Sequence, residues 1–191
     1  MGWEREGFES HEGEAGVLLA DGSEPGLVYF DPGSSADFHK STSWYHYDGE
    51  MRRPTAVSLR ARCACGWRGE KTYFLDWETV REAGRDLYDT SGPLADWSAH
   101  VDQVAALRVP LPGAVTEALA QLRERLDELV DDQPLTALRA AREMEQVVAS
   151  FAPYAARIVS QEDTPLPEVA QALGMTEKAA RSCLSRFERM D

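Results

Sequence analysis

Cysteine is scarce in this 191-residue chain: Cys63, Cys65 and Cys183 form an odd, sparse set that makes no disulfide framework and fits a reducing compartment. Long apolar runs are missing too. No stretch approaches the roughly twenty apolar residues of a membrane span. The first residues are acidic rather than basic and then apolar, so no secretion signal is expected and a cytoplasmic location is. Also absent are a phosphate-cradling glycine loop, a Gly-x-Ser-x-Gly nucleophile turn and a paired-histidine metalloprotease motif, which removes the commonest enzyme classes. Finally, a basic surplus is lacking: the net charge is -13. The deficit is uneven. Residues 1–58 hold eleven acids against four bases, and residues 113–133 six against two. Residues 59–112 and 134–191 each hold eight against seven and are close to neutral.

What is present is clearest at the C-terminal end. Residues 166–185 read as two short helices joined by a tight turn. Ala170 is small enough for the helices to cross, Gly174 permits the sharp turn, and Val169, Leu173, Met175, Ala180 and Leu184 face inward. Thr176 is a good N-cap and Glu177 suits the positive end of the second helix, while Pro165 and Pro167 mark the start of the first. This is the pattern of a helix-turn-helix, whose second helix enters a DNA major groove. Its outward positions include Lys178, Arg181, Ser182, Ser185, Arg186 and Arg189, and the first five of these with Thr176 at the helix start are the candidate DNA contacts. The alternative is a three-helix packing module whose turn contains a glycine.

Upstream, Pro110-Leu-Pro112-Gly113 marks a boundary. Val115, Leu119, Leu122, Leu126 and Leu129 then lay a seam along one helix, either for a coiled-coil dimer or for packing against the next helix. That next helix starts near Pro134 and turns Leu135, Leu138, Ala141, Met144, Val148 and Phe151 inward; a further helix is expected over 153–161. Before the boundary the pattern is β-like. Leu27–Phe30, Ser43–Tyr47, Thr55–Cys63 and Lys71–Leu75 read as strands, with Asp48-Gly49 and Pro54 turning the middle pair. Helices at about 77–88 and 93–106 cover the sheet. Residues 1–26, rich in Glu and Gly, read as an acidic flexible arm.

The second chemical signal is Cys63-Ala-Cys65-Gly66-Trp67 with the helical Asp96-Trp97-Ser-Ala-His100. Two thiols at a strand end, a glycine beside them and a distant His supply three ligands of a tetrahedral zinc. If Tyr47 pairs with Thr55, His39 falls opposite Cys63 and is the favoured fourth ligand; His46 is the other candidate. A closed four-ligand site is structural, whereas catalysis requires an open position. The competing reading is two thiols in a small reduced domain beside an ordinary surface His.

Cys63-Ala-Cys-Gly-Trp-Arg-Gly69, the later Trp97-Ser-Ala-His100, residues 134–145 and the terminal Ala172-Leu-Gly-Met-Thr-Glu-Lys-Ala-Ala180 resemble uncharacterised actinobacterial helix-turn-helix proteins of the Streptomyces type. The resemblance covers about residues 42–191 and implies a DNA-binding regulator. Such proteins carry a Trp and a Ser before the first motif helix and a Gln-Ala-Ala-His run in the second. Here those regions read Thr164–Glu168 and Glu177–Arg181.

The sequence thus predicts an α+β protein without enzymatic activity. An arm over 1–26 precedes a small antiparallel sheet with helices and a zinc site over 27–109. A linker and connector helix over 110–133 then lead to an all-α helix-turn-helix domain over 134–191. Double-stranded DNA is the expected partner, bound by a homodimer, with structural zinc as cofactor. The rival is an acidic protein-interaction module whose helix-turn-helix serves for packing alone.

Overall fold

The computed structural model describes residues 2–30 and 39–190, with backbone alone at Phe30 and His39. The fold is α+β and divides into two compact units, Met1–Ala106 and Leu107–Asp191. Among the described residues no helix is long and apolar enough to cross a membrane.

The first unit is built on a three-stranded antiparallel sheet in the order β1 (Gly13–Leu18), β4 (Ser58–Cys63), β5 (Tyr73–Phe74). A separate ribbon pairs β2 (Val28–Phe30) with β3 (His39–Ser41). β4 alternates cleanly, with Leu59, Ala61 and Cys63 buried and Ser58, Arg60 and Arg62 half-buried, the signature of a strand with one covered face. β1 pairs with it at every position from Gly13 opposite Cys63 to Leu18 opposite Ser58.

This corrects the expected arm. Between the glycines and glutamates lie Ala15, Val17 and Leu18, all buried, and two glycines that keep the strand thin where other groups approach it. Composition suggested a flexible segment, but three apolar residues in register against β4 outweigh it. A second correction concerns Ser43–Tyr47. Trp44–His46 is a single 3-10 turn, not a strand. Trp44 and Tyr47 both enter the core, and residues three apart share a side in a turn whereas a strand would need them two apart. Trp44 packs against Tyr88 and Trp77, and the Tyr47 hydroxyl donates to the Gly26 carbonyl.

Helix α1 (Trp77–Ala83) starts under an Asp76 cap that accepts from the Glu78 amide. Helix α2 (Ser91–Ala106) packs across β1 and β4, burying Trp97 and Val101 against Phe8, Ala61 and Cys63. The half-buried Glu24 carboxylate bridges Arg60 and Arg68 beside the sheet. Burial raises its pKa, but the hydrogen bonds from both guanidiniums outweigh that and hold it below the usual range. A depressed folded-state pKa stabilises the protein above the unfolded value and loses that contribution as pH falls through the folded value. Glu24→Gln is therefore expected to cost about 1 kcal/mol at pH 7. The gap to the parent should narrow towards pH 3, as read by urea unfolding at both pH values.

The second unit is helical. α3 (Gly113–Asp132) folds back on α4 (Pro134–Gln161), and α5 (Leu166–Leu173) and α6 (Glu177–Glu188) complete it. The break expected near Pro153 does not occur: α4 continues through it. Burial of Ala152, Pro153 and Ala156 offsets the ladder hydrogen bond that proline cannot make. The turn between α5 and α6 is as predicted. Gly174 is left-handed at φ 65°, Met175 donates to the Ala170 carbonyl, and the Thr176 hydroxyl accepts from the Ala179 amide. Val169, Ala170 and Ala180 are buried where the helices cross, covered by Val159, Leu166, Met175 and Leu184. Leu173, expected inside, ends α5 and is 40% exposed.

Candidate metal centre and the solvent face of the last helix

Four side chains converge at one end of the three-stranded sheet: His11, Cys63, Cys65 and His100, whose donor atoms all lie within 4.8 Å of one another. Each is placed by a separate local cause. Cys63 ends β4 on its covered face. The chain then turns at Gly66, left-handed at φ 95°, with Gly66 donating to the Cys63 carbonyl and Cys63 to the Trp67 carbonyl, which presents Cys65 outward. His100 reaches in from α2, and its ring is stacked on Trp67, 4.3 Å between centroids with the planes 6° apart. His11 belongs to a 3-10 turn (Glu9–His11) that enters β1. The Gly13–Cys63 pairing and the Ala64 amide bonded to the Glu12 carbonyl draw this turn over the two thiols.

Cys63 Sγ is 3.6 Å from His11 Nδ1, and Cys65 Sγ is 3.3 Å from His100 Nε2. Tetrahedral zinc with sulfur at about 2.3 Å and nitrogen at about 2.0 Å places such pairs roughly 3.5 Å apart. His11 Nδ1 is thus the ring nitrogen that faces the Cys63 thiol, while Nε2 of the same ring is buried without a hydrogen-bond partner among the described atoms. The surrounding groups fix these four side chains. The Trp97 indole donates to the His11 carbonyl at 2.9 Å, Cys63 Sγ lies 3.4 Å from the same carbonyl oxygen, and the Trp67 amide donates to Cys65 Sγ. Between the thiols the proton belongs to Cys63. Its hydrogen bond to Cys65, with help from His100, pulls Cys65 down to about 3, while that bond and burial push Cys63 far up. The two-thiol, two-imidazole set can hold a metal ion.

Cys63, Cys65 and His100 are the ligands expected from sequence. The fourth member is His11, which sequence reasoning missed because the partner strand was assumed to be the 43–47 segment. His39 lies in β3 opposite Phe30, in the other ribbon, and its side chain is outside the described residues. His46 hydrogen-bonds Ser41 Oγ at 2.9 Å and lies outside the group. The signal available was the Ala15, Val17 alternation just after His11, which marks a strand able to deliver it.

Gly13 is a point of close approach: a Cβ there would lie 2.3 to 2.6 Å from the Trp97 indole, itself only 3% exposed. Gly13→Ala is expected to push the indole off the His11 carbonyl and destabilise the first unit by about 2 kcal/mol. Thermal unfolding together with metal content checks both effects.

No family model, curated protein or solved structure matches this chain. Any functional reading therefore stands on this chain's own residues.

In the second unit, Lys178, Arg181, Ser182 and Arg186 are exposed along α6, with Ser185 half-buried and Thr176 engaged as the cap. Among the described residues none of the three cations pairs with Glu168, Glu177 or Glu188. Arg186 lies 5.0 Å over the Phe187 ring, and the Glu188 carboxylate accepts from the Ser160 hydroxyl on α4.

Proposed function

We propose that this chain is a DNA-binding regulator, with a structural zinc ion holding the first unit together and α6 reading the major groove. The observation that carries the DNA reading is the solvent face of α6, where Lys178, Arg181 and Arg186 stand exposed beyond a capped, glycine-turned pair of helices. Arg181 and Lys178 sit within the first turns of the helix, where recognition residues meet base edges; Arg186, further along, suits phosphate. The acidic remainder of the chain suppresses non-specific binding, and each phosphate that α6 neutralises should add about one to the salt slope of the affinity. This is the kind of protein that the sequence resembles.

Zinc is favoured over other ions because two thiolates and two imidazoles match its borderline-soft preference and four-coordinate geometry. Four protein donors leave no position for a water, so the ion's role is to tie His11, the β4 end and α2 together, in place of catalysis. The test of the DNA reading is selection of fragmented double-stranded DNA by the full-length protein at two salt concentrations, followed by sequencing. A shared motif enriched at the lower salt supports the reading. No enrichment at either salt contradicts it and favours the acidic protein-interaction alternative.

A further inference from the structure

The geometry points to a second copy of this chain as the partner of the α3–α4 hairpin, the two hairpins closing into a four-helix bundle. α3 and α4 pack on each other, yet no residue from Gly113 to Phe151 is buried. Along α3, Val115, Leu119 and Leu122 are 44%, 53% and 41% exposed; along α4, Val147, Phe151 and Tyr154 are 62%, 56% and 67% exposed. Two helices alone form a single seam that cannot be covered from the side, and bundles solve this by adding a second pair.

One side of the hairpin is the place for it. Each residue turns an α-helix by about 100°, so Leu122 leans to the same side of the α3 seam as Arg125, with Val115 on the seam itself. On antiparallel α4, Val147, Phe151 and Tyr154 lean to that same side, with Glu143. α6 packs on α4 with Val159 in the small core it shares with α5, and the buried residues of α4, Ala152, Pro153 and Ala156, lie off the side that carries Val147, Phe151 and Tyr154. The size fits: a hairpin about 30 Å long and 20 Å wide presents roughly 600 Å², near the ~800 Å² per partner of a standard interface.

Charge favours one arrangement. α3 carries six acids against two bases and α4 three bases against two acids, so α3 is repelled by its own copy and suited to the partner's α4. A two-fold axis along the hairpin makes that pairing and sets Arg125 of one copy beside Glu143 of the other. Because α4 runs on into α5 and α6, both α6 helices then emerge at one end of the bundle. The pairing is read by mass and stands or falls apart from DNA binding.

Sedimentation equilibrium of the full-length protein is expected to give twice the 21.2 kDa chain mass at micromolar concentration. Leu122→Glu with Phe151→Glu should yield a monomer whose helix content by circular dichroism is retained. Arg125→Glu should weaken the dimer about tenfold, and adding Glu143→Arg should restore it to within about threefold. A monomer at 100 µM, a mass above two chains, a dimer indifferent to the glutamates, or failure of Glu143→Arg to rescue would each overturn the proposal.

Discussion

Replacing Cys63 by Ser is expected to strip the metal from the chain and to lower the thermal midpoint of the first unit by more than about 10 °C, since each kcal/mol is worth several degrees in a domain of this size. Cys63 is buried between the His11 ring, the His11 carbonyl and Cys65, at the point where β4, the β1 approach and α2 meet. An oxygen there is a poorer zinc ligand, and without the ion nothing ties the β4 end, the His11 turn and α2 together at this point. Exhaustive chelation of the unaltered protein should reproduce the shift, and readdition of zinc should reverse it. His11→Ala should behave like Cys63→Ser. Cys183→Ser, in α6 and outside the cluster, should leave metal content and midpoint unchanged. Calorimetry with metal analysis decides the matter, and metal retained at full occupancy by the Cys63 variant would contradict the assignment.

Most of the second unit was legible in the sequence because its determinants are local. Gly174 adopts the left-handed conformation a turn requires, Thr176 caps the following helix, and Ala170 and Ala180 fill a crossing that admits only small side chains. Such signals need no knowledge of distant partners. Leu173 escaped them, since helical periodicity assigns a face but not where the neighbouring helix ends. The first unit was legible in parts. β4 and β5 follow their alternation, and Cys63, Cys65 and His100 were recognisable by residue type. The fourth member of the cluster was not, because it depends on which strand lies beside Cys63, a contact between residues fifty positions apart. The acidic composition of residues 1–26 argued for an arm, and the Trp44–Tyr47 aromatics argued for a strand. Tertiary packing overrode both, as it does where propensity is weak and burial is strong.

The second large effect is expected in DNA binding. Arg181→Ala combined with Arg186→Ala should lower affinity for the selected sequence by at least about thirtyfold, at about 1–3 kcal/mol for a base contact and a comparable loss for a phosphate contact. The two single variants should separate these roles. Arg181→Ala is expected to relax preference at one position of the motif, whereas Arg186→Ala should weaken all sequences alike and reduce the salt slope by about one. The double variant should fold normally, as both side chains are exposed and neither pairs with an acid among the described residues. Fluorescence anisotropy over a salt series provides the readout. Unchanged affinity in the double variant would remove α6 from the interface.

The proposed zinc centre requires that His11, Cys63, Cys65 and His100 together bind one ion. X-ray absorption at the zinc edge, on full-length protein purified under reducing conditions, tests that claim most directly. The expected result is one zinc per chain with two sulfur neighbours at about 2.3 Å and two nitrogen neighbours at about 2.0 Å, and no coordinated water. Protein free of metal after zinc loading, or a site with fewer than two sulfurs, would contradict it.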